Sequence, residues 1–161
     1  MDTTCDLDKV TISDALTLEQ QYEAYRRMVR IRTFEIQAEE HHAKGEIPGS
    51  LHISSGQEAE IVGACMALEP KDYMVGNHRS HGHPIGKNSD VKILMAELFA
   101  RATGVCRGKG GSMHLADFSV GSLGETSIVG SGLPVAVGAA LGSVNQGNDR
   151  VTLCFFGDGA S

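Results

Sequence analysis

Sixteen of the chain's 20 glycines lie after residue 75, and that skew constrains the fold more than any other feature of the sequence. Glycine loses the most conformational freedom on folding, so a chain concentrates it where the backbone turns sharply or approaches something closely. The first part of the chain therefore reads as helices. The second part reads as glycine loops between short apolar elements, the pattern of a backbone shaped around a ligand. No internal repeat or low-complexity tract cuts across this division.

Residues 1–16 read as a polar arm. Thr17 with Gln20 forms a capping box that opens a long helix, on which Leu18, Tyr22, Tyr25, Val29 and Ile36 follow helical spacing. Such a stripe packs on a core or on a partner. Gly45 offers a left-handed stop, and Ile47-Pro48-Gly49 reads as a turn. Ser55 with Glu58 predicts a second capping box and a helix through Ile61, Val62, Cys65 and Leu68 that ends before Pro70. Tyr73-Met74-Val75 is a short strand candidate. A third helix, from about Asp90 to Ala102, places Val91, Leu94, Met95 and Leu98 on one side and opens onto a glycine-rich loop.

Pro134 suits the first residue of a fourth helix, Leu133 to Gly142, whose stripe from Gly138 to Gly142 permits close backbone approach. Val151 to Phe156 then reads as a buried strand. An apolar run of this kind, after a helix and bounded by Gly157, predicts a central parallel strand in an α/β sheet.

Composition excludes several functions. The formal charge of −6 and pI near 5.6 leave no broad basic surface, so no nucleic-acid partner is expected. Cys5, Cys65, Cys106 and Cys154 form no Cys-x-x-Cys pair, which argues against a disulfide framework or a zinc knuckle and for a reducing, intracellular setting. The acidic N-terminus lacks the apolar core of a signal peptide. A bacterial chain would be cytoplasmic, with a mitochondrial matrix or plastid location also open. The uncharged span from Thr126 to Asn148 is long enough to raise a membrane helix, but its glycines, Pro134, Asn145 and Gln146 give too little hydrophobicity. A buried segment is expected there, and no membrane partner.

Three motifs carry chemistry. In Phe156-Gly157-Asp158-Gly159-Ala160 a strand ends on one carboxylate, at the sheet edge where α/β ligands bind. Mg²⁺ takes one or two protein oxygens and the rest from phosphates and water, so Asp158 beside open backbone amides suits it. Taken alone, Asp158 equally well caps a turn. The stretch Gly108-Lys109-Gly110-Gly111-Ser112-Met113-His114 reads as a flexible backbone with amides free to approach an anion, Lys109 adding charge, or as a plain surface loop. It lacks the spacing and the Ser or Thr after Lys109 that a Walker loop needs, and Val135 stands where a dinucleotide fingerprint places its third glycine.

The third motif runs from Asn77 to Pro84. Arg79 suits a phosphate through its planar fork, and His81 suits proton transfer. The close histidines His78, His81 and His83 raise a zinc site, but no suitably spaced carboxylate or cysteine follows them, and the stretch also reads as an exposed polar loop.

Together and in this order, the motifs resemble the α subunits of thiamine-diphosphate-dependent 2-oxo acid dehydrogenases, the decarboxylating components that include pyruvate and acetoin enzymes. The likeness runs from about Tyr25 to Ser161 through Ile47-Pro48-Gly49, Ser55 to Ala59, His78 to Gly82, Gly108 to His114, Ile128-Val129-Gly130 and Gly157 to Ala160. It implies an α/β, parallel-sheet thiamine-diphosphate-binding fold with helices on both faces, truncated, in which residues 17–161 form the diphosphate and Mg²⁺ side of the domain.

The resemblance further implies that Asp158 binds Mg²⁺ and that His78, Arg79, Gly157, Gly159 and Ala160 lie at the diphosphate of thiamine diphosphate. Main-chain groups of Ser127, Ile128 and Val129 would hold its aminopyrimidine. His52 and His81 match family histidines facing the reaction centre, which makes them candidates for orienting a small-molecule substrate or moving protons, while His52 reads alternatively as a satisfied core histidine. The implied chemistry is covalent and borne by the cofactor, with carbon–carbon cleavage and acyl transfer to a lipoyl group. Implied partners are a β subunit, in a heterotetramer, and a lipoyl-bearing acyltransferase component. Many pyruvate-type members carry Tyr before the arginine, whereas His78 and the run from Met113 to Asp117 lean towards the acetoin branch. The family's second Mg²⁺ element, an Asn-rich turn, would lie beyond Ser161, so the 161-residue chain alone is expected to be unstable or aggregated and inactive. A non-catalytic remnant or interaction module is the alternative.

Overall fold

The first capping box forms as the sequence predicts. In the computed structural model, which describes residues 16–79 and 81–161, helix α1 spans Leu18–Ala43. Thr17 Oγ1 accepts from the Gln20 amide at 3.2 Å, and Gln20 Oε1 accepts from the Thr17 amide at 2.8 Å. All but the last residue of the expected arm lies outside the described residues. The stripe that α1 buries is Ile31, Phe34, Glu35 and Ala38, with Ala24 and Met28 packed beside it. Leu18, Tyr22, Tyr25, Val29 and Ile36 form a second apolar stripe that faces outward. Both follow helical periodicity, which alone does not say which one meets the core.

Helix α2 spans Glu58–Met66, and here the expected Ser55 cap is absent: the N-cap is Gln57, without a side-chain bond. Glu58 is engaged elsewhere. One oxygen accepts from Arg32 of α1 at 2.6 Å and the other from the Gly56 amide at 3.0 Å. An ion pair that joins two helices displaces a cap worth roughly 1 kcal/mol.

Strands β1, Tyr73–Val75, β2, Ser122–Gly124, and β3, Thr152–Cys154, form a parallel sheet in the order β2-β1-β3. The run from Val151 to Phe156 thus pairs in parallel as expected; among the described residues it has a neighbour on one side only, and its strand residues are half-buried while Phe155 is buried. The centre belongs to β1, the one strand with neighbours on both sides among the described residues. Strand β2 carries no apolar run and gave no sequence signal.

Helix α3, Gly82–Gly86, occupies a stretch that the sequence presents as polar loop, yet all five residues are buried. Its glycines are required by contact. A Cβ at Gly82 would stand 2.7 Å from Ile61 Cδ1 and from Ser54 Oγ, and one at Gly86 would stand 3.0 Å from Ile61 Cγ2. Helix α4, Val91–Leu98, opens on Asp90, whose carboxylate accepts from the Lys92 amide. It stops four residues short of the expected Ala102, because Ala100 enters the left-handed region with φ of 53°.

Helix α5, Gly132–Asn145, starts just before the predicted Leu133 and keeps Pro134 in its first turn, where a missing N–H costs nothing. Gly132, Ala136 and Ser143 face inward. Among the described residues nothing approaches Gly138 or Gly142 closely: a Cβ at either would meet nothing within 4 Å. The span suspected of crossing a membrane contains only this 14-residue helix, and no helix among the described residues is long and apolar enough to do so.

Alternation along the strands sorts the two faces of the sheet. Met74 and Leu153, paired across β1 and β3, join the core built by α1 to α4, while Val75 and Cys154 lie against Gly132 of α5. Helices thus cover both faces of an α/β parallel sheet.

Candidate functional site

The C-terminal ends of β1 and β3 and the turn before α5 enclose a cleft of about 320 Å³, at the small end of ligand pockets. It brings together His78, Arg79, Ile128, Val129, Gly157, Asp158, Gly159 and Ala160, which lie on three separate segments of the sequence. Ser127 sits in the same turn but does not line the cleft, and neither His52 nor His81 does.

Each wall has a local cause. Asn77 Oδ1 accepts from the Arg79 amide at 2.9 Å, an Asx turn that lifts the chain off β1. Thr126 Oγ1 accepts from the Ile128 amide at 3.1 Å and pairs with Ser131 Oγ at 2.8 Å, which folds the segment between β2 and α5 over the cleft. After β3 the chain makes a 3₁₀ turn, Asp158–Ala160, closed by the Ala160 amide on the Gly157 carbonyl at 3.0 Å. Gly157 and Gly159 face open space, and the Cβ that Gly130 lacks would stand 3.3 Å from the Ala160 carbonyl oxygen. The rim is apolar: Ile128, Val129 and Phe156 are at least half exposed. Exposed side chains of this size gathered at a cleft mark a surface meant to be covered.

Charge is placed on both sides of this cleft. Arg79 is exposed, and among the described residues its guanidinium makes one weak bond, 3.3 Å, to the Ile53 carbonyl. Asp158 lies on the 3₁₀ turn. His78 is held below the usual histidine range, chiefly by burial and then by the nearby charges of His52 and Arg79, so its ring is neutral at pH 7. The His52 ring stacks edge-on to it at 5.5 Å, and His52 Nδ1 is buried without a hydrogen-bond partner among the described residues. A buried orphan nitrogen costs roughly 1–3 kcal/mol unless something arrives to pair with it.

His81 lies one layer deeper and is fully buried. Its Nδ1 meets Glu35 at 2.6 Å, its Nε2 meets Ser112 Oγ at 2.8 Å, and Ser112 Oγ also accepts from the His52 amide at 3.1 Å. Glu35 is completed by the amide and hydroxyl of Ser54. The resulting chain resembles a Ser-His-acid triad in connectivity, but none of Ser112, His81 and Glu35 lines the cleft. His83 turns elsewhere again, against the Phe155 ring at 4.4 Å and 3.5 Å from Glu125.

The glycine loop departs most from its sequence reading. Its amides are not free. Those of Cys106, Gly108, Gly110 and Gly111 all donate to the carboxylate of Glu97, at 2.8, 2.8, 2.7 and 3.3 Å. Burial pushes this carboxyl up, but the four amides outweigh burial and hold it below the ordinary glutamate range. The anion that the loop approaches is therefore a side chain of its own protein. Glu97 escaped the sequence analysis because it sits between Leu94 and Leu98 on a helix read for its apolar face. An acid at a core position, directly ahead of a glycine-rich stretch, is the signal that would have found it.

Comparison with known proteins adds an independent line. The sequence model of the family described as dehydrogenase E1 component matches residues 26–161. The α subunit of acetoin:2,6-dichlorophenolindophenol oxidoreductase from Bacillus subtilis (strain 168) is 46% identical over 91% of this chain and 44% of its own length. The protein of the same name from Cupriavidus necator is 42% identical over 92% of this chain and 45% of its own length. The pyruvate dehydrogenase E1 component α subunit of Rhizobium meliloti is 39% identical over 89% of this chain and 41% of its own length. The chain spans somewhat under half the length of these curated relatives.

Proposed function

The chain belongs to the dehydrogenase E1 component family, and from that premise we propose that it forms the diphosphate and Mg²⁺ side of a thiamine-diphosphate site in an α subunit acting on a small 2-oxo acid or acetoin. The observation that carries this reading is the cleft itself, where Arg79, neutral His78 and Asp158 converge from distant parts of the chain on a glycine-bordered floor. That donor set fits the group. A diphosphate needs N–H donors and a cation, and Mg²⁺ needs one or two carboxylates beside phosphate oxygens. Asp158 supplies the carboxylate, Arg79 a fork of N–H groups, and the open turn through Gly157, Gly159 and Ala160 supplies close backbone approach.

The main chain around Ser127 to Val129 holds the ring end, with the apolar rim excluding water from it. His52 presents its unpaired Nδ1 behind His78, suited to orienting substrate or holding a proton. His81, enclosed by Glu35 and Ser112, acts by positioning its neighbours. When bound, thiamine diphosphate supplies the nucleophilic carbon for cleavage next to a carbonyl. A β subunit completes the site, and a lipoyl group on an acyltransferase partner takes the acyl unit. Acetoin is the favoured substrate, on the higher identity to the two acetoin relatives and on His78. A compartment that keeps thiols reduced suits Cys65, Cys106 and Cys154, which form no disulfide among the described residues.

The test is calorimetric titration of thiamine diphosphate, with and without Mg²⁺, into the native assembly that carries this chain. Mg²⁺-dependent binding that is lost in Asp158→Asn is expected. Binding indifferent to both Mg²⁺ and Asp158 overturns the reading. Turnover of acetoin against pyruvate then decides the substrate.

A further inference from the structure

We propose that Glu97 is a positioning residue for the histidine edge of the cleft: its carboxylate takes the place of a ligand anion inside the glycine loop and so fixes Ser112 between His81 and the His52 amide. The proposal rests on the functional reading above only in the importance it gives to His52 and His78.

The geometry supports each link. Four amides from one short loop converge on the two oxygens of a fully buried side chain, two on Oε1 and two on Oε2. Only an acceptor with no hydrogens satisfies that arrangement. A glutamine in the same place would turn an NH₂ group towards two backbone N–H groups. The loop glycines are fitted to the carboxylate rather than left flexible. A Cβ at Gly104 would stand 2.6 Å from Glu97 Cα, and Gly108 holds a φ of +75° with its missing Cβ 2.6 Å from the Ala100 carbonyl carbon. Lys109, the cation that suggested an external anion, is exposed.

Ser112 follows directly, in the 3₁₀ turn Gly111–Met113 that begins at the last clamped amide. Its hydroxyl accepts from the His52 amide and meets His81 Nε2. The clamp is therefore one residue away from the group that ties His52, the neighbour of His78, to the buried Glu35–His81 pair. Loosening the loop removes the support of His52 without touching the cleft.

The experiment uses the native assembly carrying Glu97→Gln, Glu97→Ala or Ser112→Ala. It reads amide hydrogen exchange across residues 103–112 and the ring NMR signals of His52 and His81. Neither readout involves the cofactor, so failure of thiamine diphosphate to bind the wild type sinks the functional reading and leaves this inference to be judged separately. Glu97→Gln is expected to speed loop exchange about tenfold or more and to move the His52 ring signals. Formate is expected to restore both readouts in Glu97→Ala, where it fits the vacated nest, and not in Glu97→Gln. Ser112→Ala is expected to leave loop exchange unchanged while moving the His52 signals in the same direction. Wild-type exchange in Glu97→Gln overturns the proposal, as do His52 signals unmoved by Ser112→Ala. Should both Glu97 variants fail to fold, the Ser112→Ala result decides.

Discussion

The loop from Gly104 to Gly111 and the cleft bordered by Gly130, Gly157 and Gly159 are drawn from the same residue type, yet one is closed and the other open. In the loop, four amides converge on Glu97 and three glycines, Gly104, Gly108 and Gly110, would clash with backbone if given a Cβ. At the cleft, Gly157 and Gly159 meet nothing within 4 Å, and the rim exposes Ile128, Val129 and Phe156. The difference teaches that a glycine-rich segment announces close approach, not what approaches. Inside the loop the approaching group is already present.

The largest effect expected from this comparison comes from adding one methyl group to each region. Gly104→Ala places its Cβ against the backbone of α4, so denaturant unfolding should show a loss of about 3 kcal/mol or more, or no folded protein. Gly157→Ala should stay within about 1 kcal/mol of the wild type, because its Cβ enters open space. Equal losses at the two positions would erase the distinction.

Next in size is ligand affinity. Asp158→Asn should weaken Mg²⁺-dependent thiamine diphosphate binding about tenfold or more and leave the unfolding midpoint in place, since this carboxylate makes no side-chain bond within the described fold. A drop in stability as large as the drop in affinity would make Asp158 a structural cap instead.

Acid acts on both regions in the same direction but at different pH. The Glu97 carboxyl lies below its ordinary value in the folded chain, so its contribution is fully present above about pH 4.5 and is lost as pH falls through the folded value. His78 is also lowered, but its neutral form is the favoured one. Stability linked to it is intact above the ordinary histidine value near 6.5 and declines as pH drops below that towards the folded value. Exchange measured along a falling pH series should therefore register the cleft edge first and the Glu97 loop last. The reverse order would contradict both assignments.

The smallest effect concerns strain. Arg107 holds a φ of 60° at the exposed turn of the loop, and Arg107→Gly should stabilise by up to about 1 kcal/mol in thermal unfolding. A clear loss of stability would mean that the arginine side chain contributes more than its backbone costs.

Much of the site was legible because its chemistry is local. Gly157-Asp158-Gly159-Ala160 at a strand end, Arg79 and His78 after Tyr73 to Val75, and Ile128 and Val129 ahead of Pro134 are short motifs, and they border one cleft. What could not be read depends on contacts between segments distant in sequence. Glu58 looks like half of a capping box until Arg32, 26 residues earlier, is found beside it. The stretch from Gly82 to Gly86 looks like polar loop until Ile61 and Cys65 enclose it. His81 looks like a cleft histidine until Glu35 and Ser112 occupy both its nitrogens.

The sequence by itself determined the capped start of α1, the parallel α/β class and the family, because capping, periodicity and short motifs act over a few residues. The tertiary structure decided which stripe of α1 is buried, which strand is central, and that the glycine loop is filled by Glu97. Each of those is a choice among chemically equivalent partners, and only the packing of distant segments makes it.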